Sequence, residues 1–235
     1  MKRVYKTVAA ELAPGELGPG FVIRLDGHTL TSPAKAALLL PNEALAGAVA
    51  EEWDAQEAEV RPAEMPLTAL AATAIDLVAP HRAQVVADIA GYAETDLVCY
   101  HAERPPALVA RQKATWLPLV DWAALELDAP LKVTQGILPT EQPPEALAAL
   151  RSAVEACGTH DLAALSSATK AAASLVIGLA LSHGRLSAEQ AFEAAELDES
   201  YQMELWGEDA EALERRAAIR ADLEAVERFL ALLRT

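Results

Sequence analysis

The chain is 235 residues long, enough to bury a real core without disulfide or metal staples, either as one large domain or as a small domain and a larger one. Hydrophobic residues make up 52% of it, much of that alanine, and aromatics only 5%, a balance that favours close-packed helices over an aromatic-rich sheet. With 35 acidic against 19 basic side chains the formal net charge is -16, which argues against nucleic acid and anionic membranes as partners; the excess serves a basic or neutral protein partner, or solubility alone.

Residues 1–41 read as a small β-rich domain. Phe21-Val22-Ile23-Arg24-Leu25 enters Asp26-Gly27 and leaves through His28-Thr29-Leu30-Thr31, a hairpin signature, because both central turn positions favour positive φ. Val4 to Ala10 and Lys35 to Leu40 supply further strands, and Asp26 and His28 read as turn and strand residues, not as a catalytic pair. A helical domain, 42–235, opens at Pro41-Asn42-Glu43, an N-cap signature, so the expected class is α+β with an antiparallel β domain first and a larger, mainly helical domain after it. Its first helix, Ala44 to about Glu57, aligns Leu45, Val49 and Trp53 on one face, with Glu51, Glu52 and Asp54 beside it.

Leu67 to Val78 is a second helical face, ended by Ala79-Pro80, and Val85, Val86, Ile89 and Tyr92 mark a third helix. Beyond Arg104-Pro105-Pro106, Leu108 to Lys113 and Trp116 to Trp122 read as a helical pair interrupted by Pro118. Ala129 to Val133 reads as a short extended piece, Gly136 to Pro144 as a stiff loop, and Glu145 to about Cys157 as a helix stopped by Gly158. Three long helices follow, roughly 161–183, 187–206 and 209–234, the second opened by a capping box at Ser187-Ala188-Glu189-Gln190. In that second helix Leu197, Tyr201 and Leu205 share a face, flanked by carboxylates and closed by Trp206-Gly207.

Cys99 and Cys157 fall into no Cys-x-x-Cys or Cys/His spacing, so both read as reduced core thiols, with no disulfide and no metal site. Met1-Lys2-Arg3-Val4-Tyr5-Lys6 is followed by no apolar secretion signal and is not an Arg/Ser-rich transit segment; a bacterial cytoplasmic location is expected, or the mitochondrial matrix for a processed organellar chain. The longest apolar run, Ala171 to Leu181, is shorter than the roughly 18 residues of a membrane span, so no membrane insertion is expected. Phosphate-loop, dinucleotide, zinc-protease and nucleophile-elbow motifs are missing, which leaves no nucleotide or cofactor to expect. Asp96, Cys99 and His101 carry the raw materials of a thiol nucleophile within six positions, although the apolar stripe from Leu97 to Tyr100 reads more readily as a buried segment.

The blocks Glu52-Trp53-Asp54-x-Gln56, Thr95-Asp96-Leu97-Val98-Cys99-Tyr100 and Tyr201-Gln202 followed by Trp206-Gly207, together with the early hairpin and the Trp122-Ala123 helix, occur in an order that spans nearly the whole chain. In these blocks the sequence resembles the assembly chaperones of the F-type ATP synthase, specifically the family devoted to the alpha subunit of the soluble F(1) sector. The resemblance implies a non-enzymatic chaperone without metal, nucleotide or other cofactor, which holds newly made alpha subunit until the beta subunit displaces it. It also implies a partner-binding surface of Asp198, Glu199, Tyr201, Trp206 and Glu208, with Asp198 standing where Glu is usual, and a packing role for Trp53, Asp54, Gln56, Cys99 and Tyr100. Two other readings stay open: a small thiol hydrolase using Cys99 and His101, and a permanent structural subunit of a larger complex.

Overall fold

The computed structural model describes residues 2–136 and 138–235; Met1, in the segment inspected for a leader, and Ile137, in the expected loop, lie outside the described residues. Strands β1 (Val8–Leu12), β2 (Phe21–Leu25) and β3 (His28–Thr29) form an antiparallel sheet in the order β1-β2-β3. Asp26 and Gly27, at φ 49° and 81°, make the hairpin turn that the Asp-Gly pair predicts. The Asp26 carboxylate also accepts from the N–H groups of Thr7 (2.8 Å) and Lys6 (3.1 Å), and these donors hold it below the usual carboxylate range. The strand expected at Lys35 to Leu40 is reduced to single bridges, Thr31 to Ala37 and Phe21 to Leu40. Lys35 takes a positive φ of 66° and Asp76 binds Ala34 N–H at 2.9 Å, which turns the backbone out of ladder geometry.

Helix α1 (Glu43–Asp54) is capped by Asn42, whose side chain accepts from Leu45 N–H at 2.9 Å and donates to Leu232 O at 2.9 Å. Leu45 and Val49 are fully buried. Glu52, on the same helix, is buried and spends its carboxylate on the start of α2 (Pro66–Thr73): Leu67 N–H at 2.7 Å, Thr68 N–H at 2.8 Å and Thr68 Oγ1 at 2.7 Å. Those amides have no intrahelical partner, so one helix caps another. The helix expected to stop at Ala79-Pro80 instead continues through a π turn (Ala74–Val78) into α3 (Ala79–Ala90), with a kink at His81.

Helix α4 (Pro106–Glu126) is one continuous element where a broken pair was expected. Pro118, which has no N–H to give the Ala114 carbonyl, and Ala114 are both exposed, so the missing bond lies on the outer side of the helix. The extended piece expected at Ala129 to Val133 has no ladder; the strand pair is β4 (Tyr100–His101) beside β5 (Thr134–Gln135), in parallel. Helix α5 spans Pro144–Ala156. Cys157, expected in the core, is only half-buried at its end. The three long C-terminal helices are five: α6 (Thr159–Ala172), α7 (Leu175–Ser182), α8 (Ala188–Ala195), α9 (Leu197–Trp206) and α10 (Ala210–Leu233). The capping box at Ser187 and Gln190 is present.

Contacts group the chain into two compact units. Met1–Arg82, Gly158–Ala164 and Arg228–Thr235 form one; Ala83–Cys157 and Leu165–Glu227 form the other. In the first, Val22 and Ile23 are both fully buried, so β2 is covered on both faces. In the second, Trp116, Leu150, Leu165 and Leu175 are among the largest fully buried side chains, each worth about 1.5–3 kcal/mol of burial.

Candidate partner-binding site

Helix α9 carries most of the residues singled out for partner binding, and it is fastened on one side. Leu197 and Tyr201 are buried, and the Arg111 guanidinium of α4 lies 5.2 Å from the Tyr201 ring centre. Arg111 also grips Glu204 with two hydrogen bonds of 2.7 Å, which hold the Glu204 carboxyl below its usual range. Tyr201, expected on a partner surface, is buried against α4. Leu205, expected on the face of Leu197 and Tyr201, is instead 57% exposed, and Trp206 is 78% exposed. The helix closes at Gly207 (φ 92°), beyond which Glu208 stands in solvent.

Asp198 sits in the first turn of α9, where a carboxylate suits the helix dipole. Its Oδ1 accepts from Gln112 Nε2 at 2.7 Å, and Gln112 Oε1 in turn accepts from Ala102 N–H at 2.7 Å. Gln112 is almost fully buried, so Asp198 is positioned by a side chain that cannot swing away. Glu199 is half-buried and 3.8 Å from Arg215. Asp198 forms one wall of an open cleft of about 710 Å³, together with Leu97, Tyr100, His101, Glu103, Arg104, Gln112 and Leu138. Tyr100 is half-buried there, and its hydroxyl accepts from Thr140 N–H at 3.4 Å. Gln112 and Arg111 carried no signal in the sequence, because their partners lie some ninety positions away.

Asp96, Cys99 and His101 are all buried, the carboxylate and the imidazole each engaged with backbone groups. Cys99 is buried, and desolvation with the nearby Asp96 charge pushes its thiol up to about 12. Asp96 is fully buried and accepts from Ser174 Oγ (2.6 Å), Val176 N–H (3.0 Å) and Val98 N–H (3.3 Å), so it caps α7. His101 Nε2 faces Val98 O at 3.2 Å, and burial holds the imidazole below its usual range.

The Trp53 block is elsewhere in the fold. Trp53 packs with Tyr5, Val60 and Met65, and its carbonyl accepts the Tyr5 hydroxyl at 2.7 Å. Asp54 is exposed and pairs with Arg3 at 3.2 Å, and buried Gln56 accepts from Arg61 N–H at 2.7 Å while donating to Glu52 O at 3.2 Å. Among the described residues no group of three or more His, Cys, Asp or Glu is placed to hold a metal ion, and no helix is long and apolar enough to cross a membrane.

A fold of this kind, with a small sheet and a helical body, matches solved structures of a known class of chaperone. The family model described as ATP12 chaperone protein matches residues 2–124. Protein atp12, mitochondrial, of Schizosaccharomyces pombe is 26% identical over 227 residues, covering 91% of this chain and 77% of that protein. The crystal structure of Atp12 from Paracoccus denitrificans superposes with a TM-score of 0.92 at 40% identity, over 99% of this chain and 98% of that one. A mutant of P. denitrificans Atp12p gives the same TM-score of 0.92 at 40% identity, over 99% and 97%. The chain belongs to the ATP12 chaperone family.

Proposed function

We propose that this chain, as a chaperone of ATP synthase assembly, binds the unassembled alpha subunit of the catalytic head and masks its interface until the beta subunit replaces it. An isolated subunit of an alternating ring exposes apolar faces built for its neighbours, and such faces aggregate. The observation that carries the reading is the end of α9: one side is fastened by Tyr201, Asp198 and Glu204, while Leu205 and Trp206 are held out in solvent. Asp198, Glu199, Trp206 and Glu208 line the surface, an apolar contact rimmed by carboxylates that steer the encounter. Trp53, Asp54, Gln56, Cys99 and Tyr100 keep the fold in place. The chain performs no catalysis and takes no cofactor, a reading supported by the buried, weakly acidic thiol of Cys99. Its setting is the bacterial cytoplasm, or the mitochondrial matrix for organellar relatives.

The test is light scattering of alpha subunit diluted from denaturant without nucleotide. The chain suppresses scattering at near-equal stoichiometry, and Asp198→Lys and Trp206→Ala each weaken the effect at least about tenfold while leaving the helical circular dichroism intact. Unchanged scattering in the presence of folded chain would defeat the reading. Retention of alpha subunit after beta subunit is added would favour a permanent structural subunit instead.

A further inference from the structure

β1 is the outer strand of its sheet, with β2 as its neighbour in the ladder. Asp26 N–H donates to Thr7 O at 3.0 Å and Ala13 N–H to Gly20 O at 2.9 Å, at the two ends of one uninterrupted register. Ladder bonds alternate along a strand, so Ala9 and Glu11 direct their N–H and C=O groups to β2, whereas Val8, Ala10 and Leu12 direct theirs away from it. The same alternation operates on the far side of β2, where Ile23 O accepts from Leu30 N–H at 2.8 Å. Among the described residues no hydrogen-bond partner meets the outward groups of Val8, Ala10 and Leu12. No bulge or proline lies within the strand, and Ala9 and Ala10 at its centre are too small to fend off a neighbour.

We propose that β1 is a docking edge for an extended segment of the client subunit that alternates apolar side chains with a basic residue, a proposal that rests on the chaperone reading above. Val8 shares its face with Leu25 and Trp53 around Tyr5, Val60 and Met65. Leu12 ends that face 74% exposed, so apolar side chains on an added strand prolong an apolar surface. Glu11 points to the other face. Arg24 approaches it at 3.4 Å from the β2 side, and its open side accepts a Lys or Arg placed opposite on the added strand. A second copy of the chain meets the same backbone groups but brings a charge of -16 against -16, a repulsion that a basic segment does not carry.

The test is amide hydrogen exchange on the full, isotope-labelled chain, with the peptide Thr-Val-Lys-Val-Thr-Val and separately with alpha subunit. In the free chain the amides of Val8, Ala10 and Leu12 exchange much faster than those of Ala9 and Glu11, and each probe slows the fast set at least about tenfold. Replacing Lys by Glu in the peptide weakens binding about two- to fivefold. Ala10→Pro removes one outward N–H and no ladder bond, so the fold persists and the slowing disappears; Ala10→Lys, which crowds the edge instead, serves if the proline variant does not fold. Fast exchange at these amides with both probes overturns the proposal, even where alpha subunit binds elsewhere and the proposed function stands. Slowing by the peptide with no binding of alpha subunit shows an edge open to extended segments but overturns its assignment to this client, together with the proposed function. A dimer that protects the same amides with nothing added gives the edge to a second copy and overturns the proposal.

Discussion

Asp96 is a carboxyl group removed from water and surrounded by donors, and the two effects oppose each other. Burial raises its pKa and the hydrogen bonds from Ser174, Val176 and Val98 lower it; burial wins, and the group titrates above its ordinary value. A carboxyl with a raised folded-state pKa binds its proton more tightly when folded. Its contribution to stability is thus complete below the unfolded value of about 3.9 and is lost as pH rises through the folded value. Asp96→Asn cannot titrate, and at pH 4 it is less stable than the parent by about 1–3 kcal/mol, since its NH2 group faces a donor that either oxygen of the carboxyl, protonated or not, can meet with a lone pair. That gap narrows as pH rises to 7 in urea unfolding. A gap independent of pH would show that the group keeps its ordinary pKa. Sequence read a buried segment from Leu97 onward and offered for Asp96 only a place in a thiol set. Its capping of a helix some eighty positions away was not legible, because a cap of this kind leaves no periodic pattern.

At the scale of elements, the breaks between C-terminal helices have tertiary causes. Ala173 takes φ 50° and Ser174 is extended, although alanine is the strongest helix former; the hydrogen bond from Ser174 Oγ to Asp96 and the cap on Ile177 N–H at 3.0 Å draw the chain out of the helix there. Glu196, between α8 and α9, is held by Arg216 through its carboxylate at 2.9 Å and its carbonyl at 3.3 Å. The opposite override operates in α4, where Trp116 is fully buried and donates to Ala194 O at 2.9 Å, carrying the helix through Pro118. Because Pro118 is exposed and only costs a backbone bond, Pro118→Ala raises the unfolding free energy by about 1–3 kcal/mol in urea denaturation. A loss of stability would mean that the seat of Trp116 depends on the proline ring at position 118.

At the scale of the whole molecule, the net charge of -16 acts before any contact forms. If the carboxylates steer the client, capture of alpha subunit slows several-fold between about 50 and 300 mM salt while the release rate changes little, a pair of rates that stopped-flow fluorescence of Trp206 measures. A capture rate indifferent to salt would reduce the charge to a solubility device. Composition, the Asp-Gly hairpin, the Asn42 cap and the capping box at Ser187 determined the α+β class, the hairpin turn and the starts of α1 and α8 by themselves, because turn chemistry and caps act within a few residues of one another. Local blocks around Trp53, Asp96 and Tyr201 were enough to place the chain in its family. Only the tertiary structure decided that Glu52 and Asp96 are caps, that Gln112 orients Asp198, that Tyr201 lies beneath the surface while Trp206 stands on it, and that β1 keeps an open edge. Those roles depend on which distant groups meet and which backbone groups are left unmet, and neither quantity has a period that one strand or helix of sequence can display.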